Sequence, residues 1–168
     1  MAARGVPSHV TILFPFLAAA ELRATVRSAL GGVAAARQPF TARFATPKRA
    51  EGSVWLIPDE QRQFLDLTFD VAAQWPDHPP YGGLHAGNLI AHLTLVESTD
   101  RDALDQAWAA ASEAFEVSVT ELVVIAEDEN GYWHERWRVP LGGGGQRSDL
   151  QKEGELAVDA DQLPRELS

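Results

Sequence analysis

The residues best suited to acid–base chemistry in this chain come as two matching tripeptides, His9-Val10-Thr11 and His92-Leu93-Thr94, each followed by an aliphatic residue, Ile12 and Leu95. Each sits in an apolar stretch that reads as a β-strand, over about 9–16 and about 90–97. Residues two apart in a strand project from one face, so each copy sets an imidazole beside a hydroxyl. Val10, Ile12, Phe14 and Phe16 in one copy, with Leu93 and Leu95 in the other, then fall on the opposite face and can enter a core. A lone strand histidine is more often structural than functional. With five His and eight Thr in 168 residues, chance supplies fewer than one such match, so two in the same context point to one site built from two strands. Two imidazoles titrating near neutrality can hold complementary protonation states, one ready to take a proton and one to give it.

The elements that must position these pairs follow a regular order. A helix is expected over about 19–35, where Leu22, Val26, Ala29, Leu30 and Val33 keep helical spacing and Gly31-Gly32 weakens the end. Strands are expected over about 40–46 and 53–58, separated by the turn-like Pro47 to Gly52, then a helix over about 59–74. The Pro- and Gly-rich loop Trp75 to Asn88 divides the halves. Beyond the strand at 90–97, Ser98 or Thr99 can cap a helix over about 100–115 with Leu104, Trp108, Ala111 and Phe115 on one face. Strands over about 117–126 and 132–139, joined by Glu127 to Gly131, close the unit. Both halves run strand, helix, strand, strand with a His-Thr pair on the first strand. The pattern predicts a duplicated unit, with lobes 1–75 and 89–141 linked by 76–88 and packed about a pseudo-twofold axis. A polar, glycine-led tail, 142–168, is expected to be disordered.

Composition narrows the partners. The net charge is −10, and the tail accounts for only part of it: residues before Gly142 carry 18 acids and 11 bases. Proteins that track long nucleic acids carry a basic stripe, so extended nucleic-acid binding is not expected, whereas a local pocket for a small substrate or an oligonucleotide end is compatible with the acidity. With no cysteine there is no disulfide, thiolate nucleophile or cysteine-ligated metal, which fits a cytoplasmic protein. The run Val10 to Ala20 imitates a signal-peptide core, but cleavage after it would remove His9 and Thr11, Pro15 interrupts it, and it is too short to span a bilayer. No membrane association is expected.

Pro7-Ser8-His9-Val10-Thr11-Ile12-Leu13-Phe14-Pro15-Phe16, together with Ala91-His92-Leu93-Thr94-Leu95 and the loop Pro79-Pro80-Tyr81-Gly82-Gly83, resembles the 2H phosphoesterase superfamily, in particular its 2′-5′ RNA ligase-like branch. The resemblance covers roughly residues 5–141. It implies an α+β bilobal fold, two antiparallel sheets facing a central cleft with helices outside. It further implies metal-independent, cofactor-free hydrolysis of a 2′,3′-cyclic phosphate, at an RNA terminus or on a nucleotide, to a 2′-phosphate, with reversal giving 2′-5′ ligation. Such hydrolysis needs a base for the attacking water and an acid for the departing sugar oxygen. By family analogy His9 is the acid on the 3′ oxygen and His92 the base on water, while Thr11 and Thr94 hold the non-bridging oxygens.

Further residues are candidates for substrate contact. Arg136 could bring a cation to the phosphate, Tyr81 could line the cleft from its loop, and Phe14 and Trp55 could stack on a base. His78, His85 and His134 have no partner motif, and no metal-ligand spacing stands out. The acidic body and the presence of only two lysines, Lys48 and Lys152, favour a monomeric protein acting on a nucleotide, a short oligonucleotide end or another small cyclic phosphodiester. A module that binds nucleotide or phosphate without turnover is the alternative, and two intact His-Thr pairs argue against it. An interaction domain of similar architecture is the third reading, and it predicts that both histidines are dispensable.

Overall fold

The computed structural model describes residues 4–84 and 87–143. Strands β1 (Phe40–Ala50) and β2 (Ser53–Pro58) form an antiparallel hairpin closed at Glu51-Gly52, where Gly52 takes a φ of 72° open chiefly to glycine. β3 (Leu93–Glu97) pairs with β2, and β4 (Phe115–Val119) with β1, giving a four-stranded antiparallel sheet in the order β3-β2-β1-β4. β5 (Glu121–Glu127) and β6 (Trp133–Pro140) form a second antiparallel sheet. Three helices, α1 (Ala24–Ala35), α2 (Gln61–Gln74) and α3 (Arg101–Ala110), complete an α+β fold. Its class and its two antiparallel sheets match the expectation. The sharing of strands does not follow the halves, however, because β3 and β4 from the second half flank the β1–β2 hairpin from the first.

Two apolar clusters hold the layers together, and α2 serves both. Leu67 and Val71 of α2 meet Leu30 and Ala34 of α1 and Leu122, Val124 and Val139 of the second sheet. One turn earlier, Phe64 joins Ala42, Phe44, Leu56 and Leu93 of the first sheet, its ring edge-on to Phe40 at 5.2 Å. The i, i+3, i+7 spacing of Phe64, Leu67 and Val71 places all three on one stripe of the helix, which is why a single helix can bind both sheets.

Several elements depart from the sequence-based expectation, each for a local reason. The stretch 9–16 is not a strand: only Val10 makes a ladder contact, an isolated antiparallel bridge to Leu93, and bends follow from Ile12 to Pro15. Pro15 has no N–H to give a ladder. Alternation is accordingly lost, so Leu13 packs inward beside Ile12 and Phe16, while Phe14 is 50% exposed. β1 runs through the expected turn at Pro47, a residue paired with Leu56 at a level where β4 has ended, so the proline's missing donor costs no bond on that side. The helix expected from 19 begins as a single 3-10 turn, Ala19–Glu21, and α1 starts at Ala24. α3 is capped by Asp100, whose Oδ1 accepts the Asp102 N–H at 3.0 Å, rather than by Ser98 or Thr99. It ends at Ala110, leaving Trp108 40% exposed and Phe115 in β4, stacked on Phe44.

The expected strand 117–126 breaks at Thr120, the point where the chain leaves one sheet for the other. Leu95, expected in the core, is 39% exposed, because the ladder slips there: Trp55 faces Thr94 while Val54 faces Val96. The slip inserts one extra residue and turns Leu95 out. Gly142 and Gly143 of the expected tail form an ordered turn against α1, with the Gly142 N–H donated to Arg37 O at 2.6 Å. The remainder of the tail, 144–168, and His85 lie outside the described residues. Among the described residues no helix is long and apolar enough to cross a membrane.

Candidate active site

The Val10–Leu93 bridge is what brings the two motifs together. In an antiparallel bridge centred on that pair, one step along each chain sets His9 opposite Thr94 and Thr11 opposite His92. Residues directly opposite share a face, so each imidazole lies across from the other motif's hydroxyl. Val10 and Leu93 take the other face and pack into the first sheet's core. All four polar residues are half-buried. Polar groups on one side and packing on the other is the division expected from the sequence, reached with a single bridge instead of a full strand.

The two histidines are held in the same way. His9 Nδ1 lies 2.7 Å from Pro7 O, and His92 Nδ1 lies 2.8 Å from Ile90 O, in each case the carbonyl two residues back. A carbonyl can only accept, so Nδ1 carries the proton in both rings, and in the neutral state Nε2 is left with its lone pair. Each imidazole therefore presents one nitrogen able to take or return a proton. This repeated lock, absent from any motif, makes the two histidines equivalent in geometry as well as in sequence.

Other groups fix this arrangement. Trp55, directly opposite Thr94 in the β2–β3 ladder, stacks on the His92 ring with centroids 4.4 Å apart and planes at 27°. The Tyr81 side chain hydrogen-bonds Thr11, and its backbone N–H is donated to Phe14 O at 2.6 Å. Burial pushes the Tyr81 hydroxyl above its ordinary range, with the Thr11 contact opposing the rise, so Tyr81 is neutral across the physiological range. Tyr81 also holds a φ of 52°, rare for a bulky residue and sustained here by the contacts on both its backbone and its side chain.

Two contributors escaped the sequence reading. Gln61, the first residue of α2, clamps Ala91: its Oε1 accepts the Ala91 N–H at 2.9 Å and its Nε2 donates to Ala91 O at 2.7 Å. Lys48 lies opposite Trp55 on β1, its ammonium 5.9 Å from the indole centroid. A glutamine opening a helix and a lysine in a strand carry no local signature, so only the fold could reveal either.

The remaining candidates stand apart. The Phe14 ring is 6.5 Å from Trp133 and tilted to it, at the rim formed by the second sheet. Arg136 lies on β6 at the slip between Val124 and Ile125, and among the described residues no hydrogen bond joins it to the four motif residues. Its neighbour Arg138 is bound by Glu121 and Glu135. Among the described residues no three His, Cys, Asp or Glu side chains gather as a metal site. The cavity beside Thr11 and Tyr81, also walled by Thr68 and Ile90, measures only about 10 Å³, room for about one water. The larger hollow, about 530 Å³ between α1 and α2, contains no motif residue. Of the four motif residues, Thr11 alone lines either of these two hollows.

A sequence model described as the 2′-5′ RNA ligase superfamily matches residues 2–131 and so spans both motifs and the loop between them. This chain belongs to the 2′-5′ RNA ligase superfamily. It is thereby a 2H phosphoesterase, an enzyme acting on phosphodiester bonds. None of the curated proteins matches the chain in sequence. Among solved structures, one described as a crystal structure of phosphoesterase is similar over 80% of this chain and 77% of its own, at 20% identity and a TM-score of 0.47.

Proposed function

We propose that this superfamily member hydrolyses the 2′,3′-cyclic phosphate of a nucleotide or a short RNA end to a 2′-phosphate, with His9 and His92 exchanging the protons. The observation that carries the reading is the pair of Nδ1 locks on two imidazoles set across one bridge, each leaving Nε2 for proton transfer. His92 Nε2 takes a proton from water as its oxygen attacks phosphorus. The P–O3′ bond breaks, and the departing 3′ oxygen takes the proton carried by His9 Nε2. The Thr11 and Thr94 hydroxyls donate to the non-bridging oxygens, holding phosphorus between the rings and stabilising the charge that grows there. In 2′-5′ ligation the 5′ hydroxyl of a second strand would stand in place of water: His92 takes its proton as its oxygen attacks phosphorus and the 3′ oxygen leaves with the proton from His9, while cleavage of the 2′-5′ bond so formed would exchange the roles of the two histidines.

The test is turnover of 2′,3′-cyclic nucleotides and of oligonucleotides with a 2′,3′-cyclic end, in EDTA, by wild type, His9→Ala and His92→Ala. The expected result is a 2′-phosphate product that either substitution abolishes. Binding without turnover by the folded wild type would replace this reading with a nucleotide-binding module. A 3′-phosphate product would overturn the assignment of the leaving oxygen.

A further inference from the structure

Lys48 is exposed on β1, one rung across from Trp55, which is in turn one rung across from Thr94. These three residues share the face that carries the motifs. The other two cations of this sheet are engaged by acids, Arg43 by Asp59 and Arg49 by Asp105. Among the described residues no carboxylate lies within ion-pair distance of Lys48, whose ammonium is instead held over the Trp55 ring. In a chain of net charge −10, this is an uncompensated positive charge beside the site.

We infer that Lys48 binds a second phosphoryl group of the substrate, so that the enzyme favours a cyclic phosphate carrying another phosphate on its 5′ oxygen over a bare nucleoside cyclic phosphate. The inference rests on the phosphodiesterase reading above. Two strand spacings separate Lys48 from Thr94, about 10 Å. Because the ammonium lies 5.9 Å from the Trp55 centroid and that ring stacks on His92 at 4.4 Å, the charge lies within one nucleotide's length of the place where the motifs would hold the reacting phosphate. A compact charge on a flexible stem suits a phosphate whose orientation is not fixed. Trp55, flanked by His92 just before β3 and Lys48 from β1, is then a positioning residue for both and not a platform for a base.

The experiment compares kcat/KM for adenosine 2′,3′-cyclic phosphate, its 5′-phosphorylated counterpart and a dinucleotide ending in the same cyclic phosphate, in EDTA at low salt, for wild type, Lys48→Met and Lys48→Arg. Ratios are taken within each variant, so differences in folded fraction cancel. For the wild type we expect a preference of about tenfold for either substrate with a 5′ phosphate, the scale of one charge-assisted hydrogen bond, and weaker at high salt. Lys48→Met brings the ratio near one and Lys48→Arg restores most of it. A preference seen with the dinucleotide alone assigns the site to a bridging phosphate, and one seen with both assigns it to either form. A wild-type ratio near one, or a ratio that survives Lys48→Met, overturns the inference while leaving the phosphodiesterase reading in place. Hydrolysis of none of the three overturns both.

Discussion

Replacing Gln61 by Leu should reveal how the site is held from behind. The Gln61 amide satisfies both backbone groups of Ala91, a residue only 7% exposed, and also donates to Pro58 O at 3.2 Å. Leucine fills similar space and offers neither donor nor acceptor, so the Ala91 N–H and C=O lose their partners. A buried backbone group left unpaired costs about 1–3 kcal/mol. Because the bonds are only part-buried, about 1–1.5 kcal/mol applies to each, for a total of about 2–3 kcal/mol. For a chain of this size that corresponds to a fall in Tm of roughly 4–12 °C. Gln61→Glu keeps an acceptor for the N–H and loses the donor to the carbonyl, so it should fall between wild type and Gln61→Leu. Activity should fall further than occupancy of the fold requires, because Ile90 and Ala91 lead directly into His92 and Ile90 O fixes its ring. Urea unfolding with an unchanged m-value, alongside kcat measured where each variant is folded, separates the two effects. A Tm within about 1 °C of wild type for Gln61→Leu would refute the reasoning, since water would then be serving Ala91 equally well.

Four further outcomes are expected. His9→Ala and His92→Ala should each lower kcat by about 10²–10⁴-fold, and the double variant by little more than either, as residues acting in one step do. Equal losses that simply multiply would point to independent roles. The kcat/KM profile should be bell-shaped, because the step requires one neutral and one charged imidazole, and a flat profile would count against this. Tyr81→Phe keeps the ring and removes the group bonded to Thr11, so kcat/KM should fall by about fivefold with little change in Tm; wild-type kinetics would release Thr11 from that dependence. Asp128 accepts the Tyr132 and Asn130 N–H groups and faces His134, contacts led by Tyr132 that hold its carboxyl below the usual range. A depressed folded value stabilises the β5–β6 turn above the unfolded value near 3.9, and that contribution is lost as pH falls through the lower folded value. Amide exchange at Gly131 should therefore quicken at the acid end in wild type and be pH-independent in Asp128→Asn, once corrected for intrinsic exchange; matching profiles would sink the assignment.

The two motifs were legible because they depend on local order: His, aliphatic, Thr, aliphatic reads as opposite faces whether eight residues form a strand or one residue forms a bridge. The helices around Leu30, Phe64 and Leu104 were legible for the same reason, as apolar spacing survives whatever it packs against. The assignment of strands to sheets was not. Val117 and Val123 alternate in one register with no break in composition, yet Thr120 carries the chain between sheets, a choice decided by which ladder edge is open. Leu95 was misplaced by one inserted residue, which no propensity marks. Trp55 looked like a place for a base to stack; only the ladder shows that His92 and Lys48 already lie against it.

The arrangement also bears on how an acidic chain would take the phosphate proposed above. The first motif joins the sheet through one bridge, so its geometry depends on side contacts: the Tyr81 loop over Thr11 and Phe14 O on one flank, and Gln61 beneath Ala91 on the other. These contacts are neutral hydrogen bonds, insensitive to the protein's net charge and only weakly screened by salt. In the proposed mechanism the groups that meet the phosphate are likewise two hydroxyls and two imidazoles rather than a cluster of arginines, and the arginines of the first sheet are paired with aspartates. Such pairing would weaken long-range attraction for a polyanion while leaving the proposed short-range recognition of one phosphoryl group. On the proposed reading this site would take the end of a small molecule or strand in preference to the strand itself, and Lys48, paired with no described carboxylate, would meet an added phosphate.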